Sequence, residues 1–359
     1  MKIISIVGAR PQFIKCAPVS RVLRRECEEI LVHTGQHYDP EMSDIFFKDL
    51  HIPEPDYHLE VGSGSHGKQT GAILERVEDV LTHELPDLVI VYGDTNSTLG
   101  GALAAAKLHI PVAHVEAGLR SYDRMMPEEI NRVVSDHIAS ILLCPTPTSV
   151  DNLTKEGITK GVHMVGDVMV DALIHNTEIA KKKSNIIKRL GLKKHDYYVA
   201  TVHRPSNTDD KKNLTAIIDA FRESRKTVVF PVHPRTKKYL HTYGLWESVS
   251  ENIRFVDPLG YIDMLHLMSN AQKILTDSGG IQKEAYVMGV PCITLRENTE
   301  WIETLSGGWN VLVGADKRKI LAAVVAEVQT NTDNTVFGKG DTAEKIVRII
   351  LRYAKNQGD

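Results

Sequence analysis

Three carboxylates, Asp94, Glu116 and Glu128, fall within one short stretch of the 359-residue chain, with Arg120 and Arg132 among them. Asp94 follows the apolar run 88–92, Glu116 follows the apolar run 112–115, and Glu128 falls in the first turn of a helix that Pro127 opens. Run, helix, run, helix is the pattern of a parallel α/β unit, and ligands bind beyond the carboxyl ends of its strands. Each carboxylate alone has a plainer reading. Asp94 would cap the next helix, Glu116 would sit in a buried ion pair, and Glu128 would complement a helix dipole. Strand-end carboxylates of one α/β unit point into the same crevice, however. Three carboxylates and two guanidiniums there amount to proton transfer beside an anionic ligand.

The elements that position these residues run through the whole chain. A strand over 3–7 enters Gly8-Ala9-Arg10-Pro11, where Pro11 suits the first position of a helix. A strand–glycine–helix junction is a usual anion site, and Arg10 and Lys15 add cationic side chains. The GxGxxG dinucleotide fingerprint is missing. A second strand covers 29–34. Residues 61–71, VGSGSHGKQTG, read as a loop that closes on a ligand. Strands over 141–146 and 163–166 complete this half. A helix over 168–183 leads out of it, followed by a basic, polar stretch to His195.

The same grammar restarts in the second half. Strands are expected over 197–202, 228–232, 253–256, 273–276 and 291–295. His203 and His233 stand at two of their ends, where a histidine can meet phosphate. Ser278-Gly279-Gly280 precedes a helix over 281–288. Two glycines permit close backbone approach, and the helix start offers unpaired N–H groups. Glu284 follows, placed to accept hydrogen bonds from ribose hydroxyls. The organisation expected is an N-terminal domain over 1–169, a nucleotide-binding domain over 170–340, and a closing helix, 341–359, that packs back on the first.

Composition is that of a globular protein, 42% hydrophobic and 25% charged. A net charge of −3 points away from nucleic acid and membrane surfaces. Cys16, Cys27, Cys144 and Cys292 form no CxxC pair, which fits a reducing cytosol and argues against a zinc site. The N-terminus lacks the apolar core and cleavage site of a signal peptide, and no apolar run approaches membrane-spanning length.

The chain resembles the non-hydrolysing UDP-N-acetylglucosamine 2-epimerases from about residue 3 to 351. The resemblance rests on GARPQFIK at 8–15, GQH at 35–37, YGDTNST at 92–98, HVEAGLR at 114–120, PEEINR at 127–132, VHR at 202–204 and TDSGGIQKEA at 276–285. It implies two Rossmann-like domains with parallel sheets facing across a cleft, as in B-type glycosyltransferases. It also implies the chemistry. A carboxylate takes the C2 proton, UDP leaves C1 by anti elimination to give 2-acetamidoglucal, and UDP adds back after C2 is reprotonated on the other face. Asp94, Glu116, Glu128 and His203 match the family's catalytic residues. Arg10, Lys15 and Arg132 match its active-site cations, and Ser278, Gly279, Gly280 and Glu284 its UDP site. No metal or redox cofactor is implied, and a cytoplasmic homodimer is.

Two departures stand out. Many bacterial members place Gln-His-Arg in an allosteric site, whereas here Gln36-His37 continues as Tyr38-Asp39-Pro40. Some members place arginine at the nucleotide site where this chain has Trp301. The commonest substrate in the family is UDP-N-acetylglucosamine. A branch similar at 35–47 and at Asn298-Thr299-Glu300-Trp301 acts on UDP-2,3-diacetamido-2,3-dideoxy-glucuronate, whose carboxylate Arg124 or Lys68 could meet. A glycosyltransferase on the same plan would need an acceptor-binding surface. A non-catalytic sensor would not need the three carboxylates.

Overall fold

The computed structural model describes residues 1–36, 53–247, 250–328 and 335–357, without the side chains of Arg10, Asn356 and Gln357. The departure at 37–42 therefore lies outside the described residues. The chain forms two compact units, residues 1–172 with 337–359, and residues 173–336.

The first unit is built on a seven-stranded sheet in the order β3-β2-β1-β4-β5-β6-β7. Its strands are β1 (Lys2–Val7), β2 (Glu28–His33), β3 (Tyr57–His58), β4 (Leu88–Tyr92), β5 (Val112–Val115), β6 (Ile141–Cys144) and β7 (Val162–Met164). Every pairing is parallel. Helices cover both faces, so central strands such as LVIVY are apolar throughout rather than alternating. The helices are α1 (Arg10–Glu26), α2 (His66–Glu84), α3 (Asn96–Lys107), α4 (Pro127–Ile138), α5 (Pro147–Lys155) and α6 (Val168–Lys183).

The strand order reverses between β1 and β4, and ligands bind at such a switch point. Close packing there explains the small residues of α3. A Cβ added at Gly100 would stand 2.7 Å from Ile73, and one at Gly101 the same distance from Ile6. The loop expected over 61–71 is corrected. It ends at Ser65, and His66 begins a 19-residue helix. Ile73, Val77, Val80 and Leu81 anchor that helix in the core, and this apolar face outweighs the helix-weakening cost of Gly67 and Gly71, of order 1 kcal/mol each. Pro11 takes the second helical position, since Arg10 already belongs to α1.

The closing helix, Thr342–Gln357, packs on α1. Asp171 on α6 accepts from the amides of Thr342 at 3.3 Å and Ala343 at 2.9 Å, satisfying two orphan donors of the helix start.

The second unit repeats the plan with a six-stranded parallel sheet in the order β10-β9-β8-β11-β12-β13. The strands are β8 (Tyr197–Thr201), β9 (Thr227–Pro231), β10 (Ile253–Val256), β11 (Lys273–Thr276), β12 (Cys292–Thr294) and β13 (Asn310–Leu312). Here the order reverses between β8 and β11. The helices are α7 (Ile186–Arg189), α8 (Pro205–Thr208), α9 (Lys211–Glu223), α10 (Pro234–Thr242), α11 (Tyr261–Ser269), α12 (Gly279–Val287) and α13 (Lys317–Val325). The stretch read as merely polar after Lys183 thus contains α7, seated by the fully buried Ile186. Among the described residues no helix is long and apolar enough to cross a membrane.

Gly118, two residues past Glu116, has φ +80° and a Cβ there would collide with the Ser149 carbonyl. We expect Gly118→Ala to destabilise the first unit by about 1–3 kcal/mol or more. Urea unfolding checks this; an unchanged midpoint would mean that the turn yields freely.

Candidate active site

In the first unit the charged residues meet at the switch point. Lys15, on the second turn of α1, is ion-paired with Glu116, and both side chains are nearly nine-tenths buried. Arg132 on α4 pairs with Asp94 at the end of β4 and, at 3.3 Å, with Glu129. Gly93 separates the two ion pairs. Its φ is +64°, and a Cβ there would stand 3.1 Å from the Lys15 ammonium and 3.3 Å from Glu116 Oε2. Burial alone would lower the Lys15 pKa, but Glu116 and then Asp94 outweigh it and hold the ammonium above its ordinary range. Glu116 itself has φ +74°, a left-handed backbone that costs a non-glycine residue of order 1–3 kcal/mol and is typical of functional turns.

Glu128 and Asp94 line one cavity of about 420 Å³, whose other walls include Ser63, His66, Asn96 and Asn131. Asp94 does not cap α3. Thr95 does so, accepting from the Thr98 amide, which leaves the Asp94 carboxylate to Arg132 and the cavity. The anion site expected at Gly8-Ala9 is altered in one respect. Both amides donate to Gln12 Oε1, at 2.8 and 3.0 Å, while Gln12 Nε2 donates to the Tyr92 carbonyl at 2.9 Å. Those amides serve the start of α1.

Arg120 is the main correction. Its guanidinium is buried against Asp136 at 2.7 Å and Glu156 at 2.7 Å, so it braces α4 and α5 and does not face the cavity carboxylates. Its proximity to Arg132 in sequence carried no information on direction.

Residues the sequence reading passed over form a chain of amides beneath the cavity. Gln69 Nε2 donates to the backbone carbonyls of Gly62 at 2.7 Å and Gln36 at 3.2 Å, which fixes Gln69 Oε1 as an acceptor. Asn96 Nδ2 donates to that oxygen at 2.8 Å and meets His66 Nδ1 at 3.2 Å. Asn131 Nδ2 donates to Asn96 Oδ1 at 3.1 Å and to the Asp94 carbonyl at 3.0 Å. Backbone acceptors at both ends set every amide's direction. His66 Nδ1 is placed to accept from Asn96. The sequence signal was polar residues on the buried faces of three helices, Asn96 and Asn131 falling within the motifs YGDTNST and PEEINR.

In the second unit Asp277, fully buried at the end of β11, organises the switch point. Its carboxylate accepts from the amides of His203, at 3.0 and 3.1 Å, and Arg204, at 2.9 Å, and from Asn207 Nδ2 at 3.1 Å. The His203 ring also pairs with it through Nδ1 at 3.2 Å, which orients the ring. Burial would raise the Asp277 pKa, but the hydrogen bonds from His203 and Arg204 outweigh it and hold the carboxyl below the usual range. His233 caps α10, its Nδ1 accepting from the Arg235 amide at 3.2 Å.

Gly279 and Gly280 do not precede the helix but form the first turn of α12, with Ser278 as its cap residue. A Cβ at Gly279 would collide with the Glu300 carboxylate, whereas one at Gly280 would meet nothing closer than Ser278 Oγ at 4.0 Å. Gly280 therefore presents the open face of the helix start. Glu284 falls in the second turn, where its Oε1 accepts from the Tyr261 hydroxyl at 3.2 Å. Trp301 lies under the ammonium of Lys283, 4.2 Å from its ring centre, an arrangement that favours cation–π attraction.

Comparison with known proteins decides the family. The UDP-N-acetylglucosamine 2-epimerase family profile matches residues 21–351. A UDP-N-acetylglucosamine 2-epimerase homolog of Methanococcus maripaludis is 56% identical, over 98% of this chain and 99% of its own. The UDP-2,3-diacetamido-2,3-dideoxy-D-glucuronate 2-epimerase of Pseudomonas aeruginosa is 44% identical, over 98% of this chain and its entire length. The crystal structure of the Methanocaldococcus jannaschii UDP-GlcNAc 2-epimerase, in complex with UDP-GlcNAc and UDP, superposes with a TM-score of 0.80 at 46% identity, covering 98% of this chain and 100% of that one.

The chain belongs to the UDP-N-acetylglucosamine 2-epimerase family. It is an isomerase, a sugar-nucleotide 2-epimerase, on two doubly wound α/β units. Within this family fold the carboxylate–cation pairs occupy the switch point of the first unit, and Asp277 with the start of α12 that of the second.

The Asp277 environment predicts a pH dependence. A carboxyl held below its unfolded value contributes stability that is present above the unfolded pKa, about 4, and is lost as pH falls through the folded one. The melting temperature of the protein should fall in acid, and the gap between it and Asp277→Asn should narrow from about pH 6 to about pH 3. A gap that stays constant across that range would contradict the assignment.

Proposed function

We propose that this epimerase interconverts UDP-N-acetylglucosamine and UDP-N-acetylmannosamine by elimination and re-addition of UDP. The observation that carries the reading is the set of carboxylates at the switch point. Asp94 and Glu128 share one cavity, and Glu116 stands against Lys15 at the next strand end. One of the three takes the proton from C2. The C–H electron pair becomes the C1–C2 double bond as the C1–O bond breaks, and UDP departs with the electrons. A second acid returns a proton to C2 from the other face, and the UDP oxygen re-forms its bond to C1. A C2 proton is weakly acidic, so the step needs both a positioned base and a stabilised leaving group.

In the second unit Ser278, Gly279 and Gly280 offer the amides of the α12 start to the diphosphate. Glu284 accepts from ribose, and His203, oriented by Asp277, assists the phosphate. Lys15, Arg132 and Arg10 supply positive charge on the first unit. The 44% identical diacetamido-glucuronate epimerase supports a second reading of the sugar by the same mechanism. Against it, Asp94 and Glu128 are among the described walls of the cavity and no lysine or arginine is. A homodimer is proposed through α4, where Met126, Ile130 and Val134 are exposed one turn apart. The free thiols Cys16, Cys27, Cys144 and Cys292 support a cytoplasmic setting.

The test uses each sugar nucleotide alone in deuterated water. Proton NMR should show deuterium entering C2 and the 2-epimer forming without any acceptor. Asp94→Asn, Glu116→Gln and Glu128→Gln should each slow this by a factor of roughly 100 to 10,000 while UDP still binds. Near-normal turnover in all three would sink the assignment, and exclusive turnover of the uronate would select the second sugar.

The nucleotide site has its own test. Gly280→Val places a branched side chain over the open helix start, where its Cβ meets nothing closer than Ser278 Oγ at 4.0 Å, so it should bind UDP at least about tenfold more weakly while melting like the wild type. Calorimetry reads the affinity; an unchanged value would put the diphosphate elsewhere.

A further inference from the structure

A fully buried histidine that no step above uses lies between the two strand ends. His114, on β5, has no solvent exposure, and neither does the side chain of Asp136 on α4. His114 Nδ1 is 2.7 Å from Asp136 Oδ1, and His114 Nε2 is 2.7 Å from the Gly93 carbonyl oxygen. A carbonyl oxygen can only accept, and so can an ionised carboxylate. Both ring nitrogens must therefore donate.

The two acceptors are not arbitrary. Gly93 directly precedes Asp94. The other oxygen of Asp136 accepts from the Gly118 amide at 3.0 Å and from Arg120 Nη1 at 2.7 Å. Gly118 closes the turn that begins at Glu116, whose left-handed φ needs an external hold. The amides of Glu116 and Ala117 both donate to the Leu143 carbonyl, at 3.1 and 3.2 Å. Asp136 thus ties the amide side of that turn, while Asn152 Nδ2 donates to the Gly118 carbonyl at 3.1 Å. His114 and Asp136 join the backbone behind Asp94 to the backbone behind Glu116.

We infer that His114, held as a doubly protonated imidazolium between Asp136 and the Gly93 carbonyl, is a positioning residue that sets Asp94 and Glu116 relative to each other. The inference rests on the roles proposed above for those two carboxylates. The charged groups around the ring are Asp136 and, through it, Arg120 and Glu156, together with Glu116 just past the end of its own strand. Burial opposes the charge on His114, and Asp136 more than compensates, so its pKa lies above the usual range. Asp136 is held below its own usual range although burial raises it, with His114 and then Arg120 responsible. The same pairing gives the sequence motif a reason. In HVEAGLR, the histidine and arginine grip one aspartate from either side of the glutamate they position.

The test compares two amide variants with the intact enzyme. His114→Gln can keep a donor near Gly93, and His114→Asn one toward Asp136 alone. Losing the charge-assisted hydrogen bond to the Gly93 carbonyl, directly before Asp94, should lower kcat roughly ten- to a hundredfold in His114→Asn. KM and UDP affinity should change little, and His114→Gln should recover part of kcat. Nitrogen-15 NMR of the wild-type enzyme should show both His114 ring nitrogens protonated from pH 6 to 8, roughly a unit either side of neutrality. This readout needs neither turnover nor a variant that folds. Wild-type kcat in both variants would overturn the inference while leaving the epimerase reading intact. So would a neutral His114 ring throughout that range. A wild-type enzyme with both nitrogens protonated but no exchange at C2 would instead remove the epimerase reading, and with it the positioning role.

Discussion

The first unit depends on holding the largely covered Glu116 carboxylate against an equally covered ammonium. Glu116 and Lys15 are each almost fully covered, and stripping water from two such ions costs several kcal/mol apiece unless they remain paired. The pair is therefore obligatory in the resting protein. Removing either partner would strand a buried charge, at about 3–5 kcal/mol. Gly93 is the spacer that makes the geometry possible, since any side chain would press on both ions.

A second constraint works from below. The amide chain from Gln36 and Gln69 through Asn96 to Asn131 leaves each polar group with a defined direction, as a buried network must. It fixes the Asp94 backbone from one side while the His114–Asp136 pair fixes Gly93 from the other. The cavity wall is thus defined where acceptors and donors matter and contains His66, on a helix, where the sequence suggested a closing loop. Lys68 accordingly rides on a helix.

The second unit solves an analogous problem with one carboxylate. Asp277 gathers the His203 and Arg204 amides and Asn207, so the turn after β8 is tied to the turn after β11. The helix start that follows stays open at Gly280. Residues 296–304 are tied onto α12, Thr299 Oγ1 donating to Gln282 Oε1 at 2.6 Å, and Glu300 is braced by Arg296 at 2.9 Å. Gly279 is required by that loop's close approach, an alternative to the ligand-contact role that glycines at helix starts suggest.

The sequence by itself determined the alternation of strands and helices, and with it the placement of Asp94, Glu116, His203 and Ser278 at strand ends. Apolar runs of strand length, punctuated by glycine and followed by small-residue helices, admit few other folds. Its family motifs led to the epimerase assignment for the same reason, since they preserve spacing along the chain. Direction in space was decided only by the tertiary structure. Arg120 and Arg132 are equally basic and close in sequence, yet α4 presents Asp136 and Glu129 differently and sends one guanidinium into the scaffold and the other to Asp94. Residues 61–71 looked like a loop because their own composition is weak in helix propensity, and the burial of Ile73 to Leu81 outweighed it. The hydrogen-bond partners of His114 and His66 were invisible for a deeper reason. A ring's charge depends on which acceptors and donors lie around it, and here those come from residues 20 to 30 positions away in sequence, brought together only by the packing of α2, α3 and α4 on the sheet.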